Sequence, residues 1–264
     1  MKTSREILED FKNGKISIDE AERLLKANRI ISLEDFVNID IERELRTGIP
    51  EIVYSASKNP NQAAQIAIKI AQTKNISIMT KISDQHAIEI RNILPQDLEI
   101  EVHDLAKLIV VKKRGYKIED KGGKIGIITA GTSDIPIAEE VKIICKSMGC
   151  STYTSYDVGI AGLHRIFPPL RELIDAEIDV VVVCAGFEGL LAGVVSSLID
   201  VPVIGVPTSI GYGVSEKGFT ALNSMLSSCS PLAVVNIDNG FGAGVMAAKI
   251  ANRVASFRNR LKNK

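Results

Sequence analysis

The sequence predicts an α/β protein: a flavodoxin-like, three-layer, doubly wound parallel sheet in the C-terminal part, preceded by a smaller α/β domain. Two observations carry most of this reading. After Gly123, apolar runs of strand length alternate five times with amphipathic runs of helix length, and parallel strands require such crossover connections. Residues 112–123 are polar, hold three glycines and mix charges of both signs, which places a domain boundary there. Residues 1–32 are thus expected as a helical lead, 33–120 as the small α/β domain and 121–264 as the larger one.

In the lead, Ile7, Leu8 and Phe11 keep helical spacing, Gly14 punctuates, and Ile18, Ala21, Leu24 and Leu25 share one face of a second helix. Such a pair either packs on its own chain, the reading preferred here, or docks a partner. In the small domain, strand-like runs at 51–54, 76–80, 100–102 and 108–111 alternate with helical patterns at 62–72 and 84–92. In the larger domain, strands are expected at 124–129, 152–157, 180–184, 203–206 and 232–236. Helices are expected at 136–148, 169–176, 190–198, 217–227 and 243–255.

Composition removes several classes of function. Thirty-two basic residues balance thirty-two acidic ones, so the electrostatic footprint of a nucleic-acid binder is missing. The basic run Lys112, Lys113, Arg114 reads as a solvated turn. Residues 1–10 lack the apolar core of a secretory signal, and the apolar stretches 180–184 and 189–199 fall short of the roughly 18–20 residues that cross a bilayer. A cytoplasmic protein without membrane partners is expected. The four cysteines form no Cys-x-x-Cys pair and the three histidines are widely spaced, so no metal site is expected from the protein alone. Any metal would arrive with a phosphate.

In a doubly wound sheet, ligands bind where the strands end at their carboxyl edge, so the loops there carry the chemistry. Ala130-Gly131-Thr132-Ser133-Asp134 precedes a helix with Pro136 in its first turn; Ser133 or Asp134 can cap that helix, or its exposed amides can hold a phosphate. The loop 157–165 ends in His164-Arg165, a proton carrier beside a planar phosphate fork, although such a pair also decorates surfaces. Ala185-Gly186-Phe187-Glu188-Gly189 sets a carboxylate between glycines after a wholly apolar strand. Burial there would raise the Glu188 pKa and suit it to acid–base work; the alternative is a first-turn Glu favoured by the helix dipole. The loop 207–213 suits a lid or a phosphate cradle. Asp238-Asn239-Gly240-Phe241-Gly242 suits either a phosphate turn or close packing of the small-residue helix that follows. Cys229, in a polar Ser-Ser-Cys-Ser-Pro setting, is a nucleophile if partly exposed and otherwise a structural filler.

Several of these runs taken together are similar to the aminoimidazole ribonucleotide carboxylase superfamily in order and spacing. They are Gly131-Thr132-Ser133-Asp134, Ala161-Gly162-Leu163-His164-Arg165, Ala185-Gly186-Phe187-Glu188-Gly189, Pro202 to Pro207 and Asn239 to Gly244. Within that superfamily the chain most resembles the LarB family of nickel-pincer cofactor biosynthesis. The segment from Asp40 to Gln62, with Arg43, Gly48 to Val53 and Lys58, adds to that likeness, which spans roughly residues 33–255. The purine enzymes carry Ala-Ala-His-Leu-Pro-Gly after the third strand, where this chain has Phe187-Glu188-Gly189-Leu190-Leu191-Ala192-Gly193; Glu188 stands for the histidine, and Cys229 is added. One departure from the LarB pattern is Ser57-Lys58 where Gly-Lys is expected.

The resemblance implies carboxylation of the nicotinate ring of nicotinic acid adenine dinucleotide by carbon dioxide or bicarbonate, with phosphoanhydride cleavage that releases AMP. It implies Cys229 as nucleophile, Glu188 as base and His164 as a proton shuttle or orienting group. Thr132, Ser133, Asp134, Arg165, Asn239, Gly240, Lys58 and Arg43 would bind substrate, Mg²⁺ would assist the phosphoanhydride step, and the chain would form a homo-oligomer, an octamer in that superfamily. Aminoimidazole ribonucleotide carboxylase or mutase activity, or a non-catalytic nucleotide-binding module, are the rival expectations.

Overall fold

The computed structural model describes residues 4–27, 31–33, 37–39 and 43–262; Asp40, where the second stretch of resemblance begins, lies outside them. The chain divides into two compact units, one of residues 1–103 and 108–116 and the other of residues 104–107 and 117–264.

The first unit opens with α1 (Ser4–Lys12) and α2 (Ile18–Ala27), which pack on each other. Ile7 and Ala21 of their apolar face are buried, while Leu8, Phe11 and Ile18 stay exposed. A short hairpin, β1 (Ile31–Leu33) and β2 (Val37–Ile39), and α3 (Arg43–Thr47) follow. The core of the unit is a sheet built from β3 (Ile52–Tyr54), β4 (Ile76–Thr80), β5 (Leu98–His103) and β6 (Leu108–Lys113), with α4 (Pro60–Lys74) and α5 (Asp84–Ile93) between strands. Its order is β3-β4-β6-β5, with β3 and β4 parallel and the remaining pairs antiparallel. Local chemistry fixes α4. The Asn59 side chain accepts from the Asn61 N–H at 3.0 Å, Pro60 opens the first turn, and Asn75 ends the helix at φ 69°. Its apolar stripe, Ala63, Ile66, Ala67, Ile70 and Ala71, buries against Met79, Ile109 and Val111 of the sheet. The basic run at 112–114 is not a free turn: Lys112 and Lys113 end β6, and Lys112 pairs across the strands with Glu101 at 2.5 Å and Glu99 at 3.5 Å.

The second unit is the doubly wound sheet: β7 (Gly123–Thr129), α6 (Ile135–Ser147), β8 (Cys150–Ser155), α7 (Phe167–Asp175), β9 (Val180–Ala185), α8 (Leu190–Ser196), β10 (Val203–Pro207), α9 (Phe219–Leu226), β11 (Ala233–Val234) and α10 (Gly240–Lys262). All strand pairs are parallel, in the order β11-β10-β9-β7-β8, which is the flavodoxin-like arrangement with its topological switch between β7 and β9. Helices α6 and α10 cover one face. On the other, Leu170, Leu173, Leu191, Ala192, Val195 and Met225 of α7, α8 and α9 meet Ile128, Val181 and Val183. β9 is buried along its whole length, as expected of a parallel strand covered on both faces.

The elements differ from the sequence pattern at their ends. β11 keeps only two residues because it follows Pro231 and pairs on one side alone. α10 continues past Ala255 to Lys262, where Arg258 reaches back to pair with Asp179, a side chain only 2% exposed, and to the Gly122 carbonyl at 3.4 Å. The 3₁₀ turns at 132–134, at 160–166 on either side of a kink at Gly162, and at 213–218, broken at Glu216 and Lys217, were not legible. Among the described residues, no helix is long and apolar enough to cross a membrane.

Candidate active site

At the carboxyl edge, over the switch between β7 and β9, lies a cavity of about 420 Å³. The loops after β7, β8, β9 and β10 all line it, through Gly131, Ser133 and Asp134, through Gly159 to Ala161, through Gly186 to Leu191, and through Ile210. The fold brings four connections to one place because every strand points the same way and the strand order reverses here.

Asp134 is the buried polar centre of this cavity, 3% exposed. It does not cap α6 as the sequence allowed. One carboxylate oxygen accepts from the Gly131 N–H at 2.9 Å and the other from the Thr208 hydroxyl at 2.6 Å, so Asp134 ties the first loop to the fourth. Burial pushes its carboxyl above the usual carboxylate range and the charge of Asp238 adds to this, against the opposing hydrogen bonds from Thr208, Gly131 and Gly186. Thr208 is fully buried; its loop was expected as a lid or phosphate cradle, and its hydroxyl is instead used on Asp134. Asp238 holds the same fourth loop by accepting from the Ser209 N–H at 2.9 Å.

Glu188 lines the cavity but is exposed at its rim, so the burial expected of it is absent. The turn that carries it is strained: Phe187 has φ 50° and Gly189 φ 65°. Glycine tolerates that region, whereas a bulky residue rarely does. A Cβ at Gly186 would stand 2.4 Å from the Ile210 carbonyl oxygen, and one at Gly189 2.8 Å from that of Ala221, so this turn needs glycines on both sides to seat the carboxylate.

The other expected site residues of this unit do not line the cavity. Thr132 and His164 are exposed and absent from the lining. Arg165 folds back onto Asp157 at 3.3 Å. Asn239 closes its own helix terminus by accepting from the Gly242 N–H at 2.8 Å, and Gly240 lets α10 approach α6, since a Cβ there would stand 2.8 Å from the Ile137 carbonyl oxygen. Close packing therefore explains the fifth loop. It also consumes Ala243, Ala247 and Ala248, which are fully buried within the chain, so that face is not open to a neighbouring subunit. Arg43, paired with Glu51 at 3.3 Å, and the exposed Lys58, in a turn closed by its N–H on the Ser55 carbonyl at 3.0 Å, belong to the first unit. Ser57 keeps a negative φ, so the missing glycine is not needed there.

Cys229 is exposed, in the connection that enters β11. It thus sits at the amino edge of the sheet, while Glu188 follows β9 at the carboxyl edge. A five-residue strand spans roughly 17 Å, so within one chain the sulfur and the carboxylate do not share a ligand ring. Among the described residues, no three His, Cys, Asp or Glu side chains group to hold a metal ion.

Residues 124–264 match the AIR carboxylase family model, and residues 31–114 match a LarB/PurE-like N-terminal domain. The chain belongs to the AIR carboxylase family. This is a family of carboxylase- and mutase-like enzymes, and here its core follows a LarB/PurE-like N-terminal domain. A family relative in Methanocaldococcus jannaschii, the uncharacterized protein MJ0165, is 46% identical over 95% of this chain and 97% of its own length. The N5-carboxyaminoimidazole ribonucleotide mutase of the same organism is 31% identical over 53% of this chain and 91% of its own; that of Thermotoga maritima is 29% identical, covering 53% and 85%. Among solved structures, Treponema denticola PurE is 21% identical with a TM-score of 0.38, over 51% of this chain and 81% of that one.

Proposed function

We propose that the protein carboxylates the nicotinate ring of nicotinic acid adenine dinucleotide and hydrolyses its phosphoanhydride with one water, giving pyridinium-3,5-biscarboxylic acid mononucleotide and AMP in the cytoplasm, as a LarB-type enzyme. The observation that carries this reading is the Gly186-Phe187-Glu188-Gly189 turn, which sets a carboxylate at the switch-point cavity where the purine enzymes have a histidine. The LarB/PurE-like N-terminal domain supports it.

The pyridinium nitrogen is an electron sink. A thiolate adds at the ring carbon para to it, the resulting enamine attacks carbon dioxide from the neighbouring carbon, Glu188 takes the ring proton, and expulsion of the thiolate restores aromaticity. Asp134, Ser133 and the amides of the first loop bind the ribose and phosphate groups. Because Cys229 lies at the opposite edge of the sheet from Glu188, this reading takes the sulfur from a second copy of the chain in a homo-oligomer. The described residues offer no metal site of their own, so Mg²⁺ is proposed only as a companion of the substrate's diphosphate, with no step assigned to it.

Incubation with nicotinic acid adenine dinucleotide and bicarbonate, read by mass, is expected to yield a mononucleotide bearing one added carboxyl group, together with AMP. Turnover of aminoimidazole ribonucleotide instead, indifferent to Cys229→Ala, would select the purine reaction. Co-assembly of Cys229→Ala chains with Glu188→Gln chains should restore activity that neither variant has alone. Two inactive variants that fail to complement would reject the shared site.

A further inference from the structure

The described aromatic contact in this chain stands at the cavity mouth. Phe187 lines the cavity, and its ring meets Tyr212 of the fourth loop edge to face, with centroids 5.3 Å apart and planes at 87°. A perpendicular pair covers only one of its four ring faces. The rest remain open, in keeping with exposures of 42% for Phe187 and 77% for Tyr212. Leaving such rings in water forgoes the burial that aromatic side chains ordinarily gain.

The backbone holds this arrangement at a cost. Phe187 occupies the left-handed region at φ 50°, fixed by its N–H on the Ile210 carbonyl at 2.8 Å. Tyr212 lies between Gly211 at φ 155° and Gly213 at φ 59°; a Cβ at Gly211 would stand 2.6 Å from the Ser215 carbonyl oxygen, whereas Gly213 faces open space. Backbone strain of this kind clusters at active sites and ligand clamps. Exposed Glu188 lines the same cavity, and its carboxylate attracts a positive ring.

We infer that Phe187 and Tyr212 form an aromatic lip that stacks on a flat, electron-poor heteroaromatic ring and sets it against Glu188, making them specificity-determining residues for that ring. For a pyridinium, the attraction of a cation for an aromatic face adds to stacking. This inference rests on the proposed function for the identity of the ring, and the test separates the two.

The chain has five tyrosines and no tryptophan, so binding is followed by tyrosine fluorescence and by calorimetry. The ligands are nicotinic acid adenine dinucleotide, its reduced dihydropyridine form and AMP, and the proteins are wild type, Phe187→Leu, Tyr212→Leu and Tyr212→Phe. The lip predicts tighter binding of the pyridinium than of the reduced form. Each leucine variant should lose roughly tenfold in affinity for the pyridinium, Tyr212→Phe should keep it, and AMP should be unaffected. Equal affinity of the leucine variants and wild type for the pyridinium ligand, or an equal loss for AMP, overturns the lip. If wild type binds aminoimidazole ribonucleotide and not the dinucleotide, the proposed function falls but the lip does not. It then stands or falls on whether Tyr212→Leu weakens that ligand while sparing ribose 5-phosphate. Wild type that binds neither ring overturns the lip as well.

Discussion

The two edges of the five-stranded sheet are built on opposite principles. At the amino edge, Asp179 is buried and satisfied: it accepts from the Lys124 N–H at 2.8 Å and pairs with Arg258, which clamps the last helix over the strand ends. At the carboxyl edge, Asp134 is buried to a similar degree but has no cationic partner among the described residues; its hydrogen-bond donors are neutral. Non-glycine residues at positive φ occur at both edges: Asp157, Phe187 and Asp238 at this one, and Glu177, two residues before Asp179, at the other. One edge uses a carboxylate to close the fold. The other sets two carboxyl groups, buried Asp134 and exposed Glu188, against an open cavity.

The sharpest way to break this contrast is to remove the acid at the rim. Glu188→Gln should lower turnover by roughly 10² to 10⁴, the usual worth of a positioned proton acceptor, while the thermal midpoint stays near that of wild type because the side chain is exposed. Unchanged turnover would deny the carboxyl edge its reactive role. Next comes Arg258→Ala, which leaves Asp179 buried without its charge partner and should destabilise the protein by about 3 kcal/mol, read by denaturant unfolding, with ligand affinity retained. A smaller effect is expected of Gly186→Ala. The new methyl meets the Ile210 carbonyl oxygen and the Thr208 hydroxyl, and overpacking of this kind costs roughly 1–3 kcal/mol. Here stability and ligand binding should fall together.

The finest discrimination is by pH. Because burial raises the Asp134 carboxyl, the folded state holds that proton more tightly than the unfolded chain, whose ordinary value is 3.8. The stabilisation is full below that value and is lost as pH rises through the raised folded value. Asp134→Asn should flatten this part of the stability profile, as measured by chemical unfolding between pH 4 and 7; an unchanged profile would mean that Asp134 is not the group responsible.

Much of the fold was legible because the buried strands are uniform: 180–184 is short, apolar and rich in valine, as a strand covered on both faces should be, and Pro136 and Pro169 stand in first helical turns. The carboxyl-edge loops were legible for a topological reason, since parallel strands deliver their ends to one side whatever the side chains do. Which loop residues turn inward was not. His164-Arg165 looked like a reactive pair, yet Arg165 pairs with Asp157 at the surface and neither residue lines the cavity. Asn239 and Gly240 looked like a phosphate turn, yet they serve helix capping and helix packing. Cys229 was grouped with Glu188 by family pattern, and spacing in the chain carries no information about which edge of the sheet a residue occupies. The role of Thr208 was not legible because it lies in a hydrogen bond to a residue 74 positions away.

The cysteines carry a practical consequence. Cys145 and Cys184 are fully enclosed, burial drives both thiols well above their ordinary value, and Cys150 is pushed up to about 12, first by burial. Cys229 alone faces solvent. Native protein should therefore take up a single equivalent of an alkylating dye and denatured protein four, which offers a one-site attachment point for distance measurements between neighbouring chains.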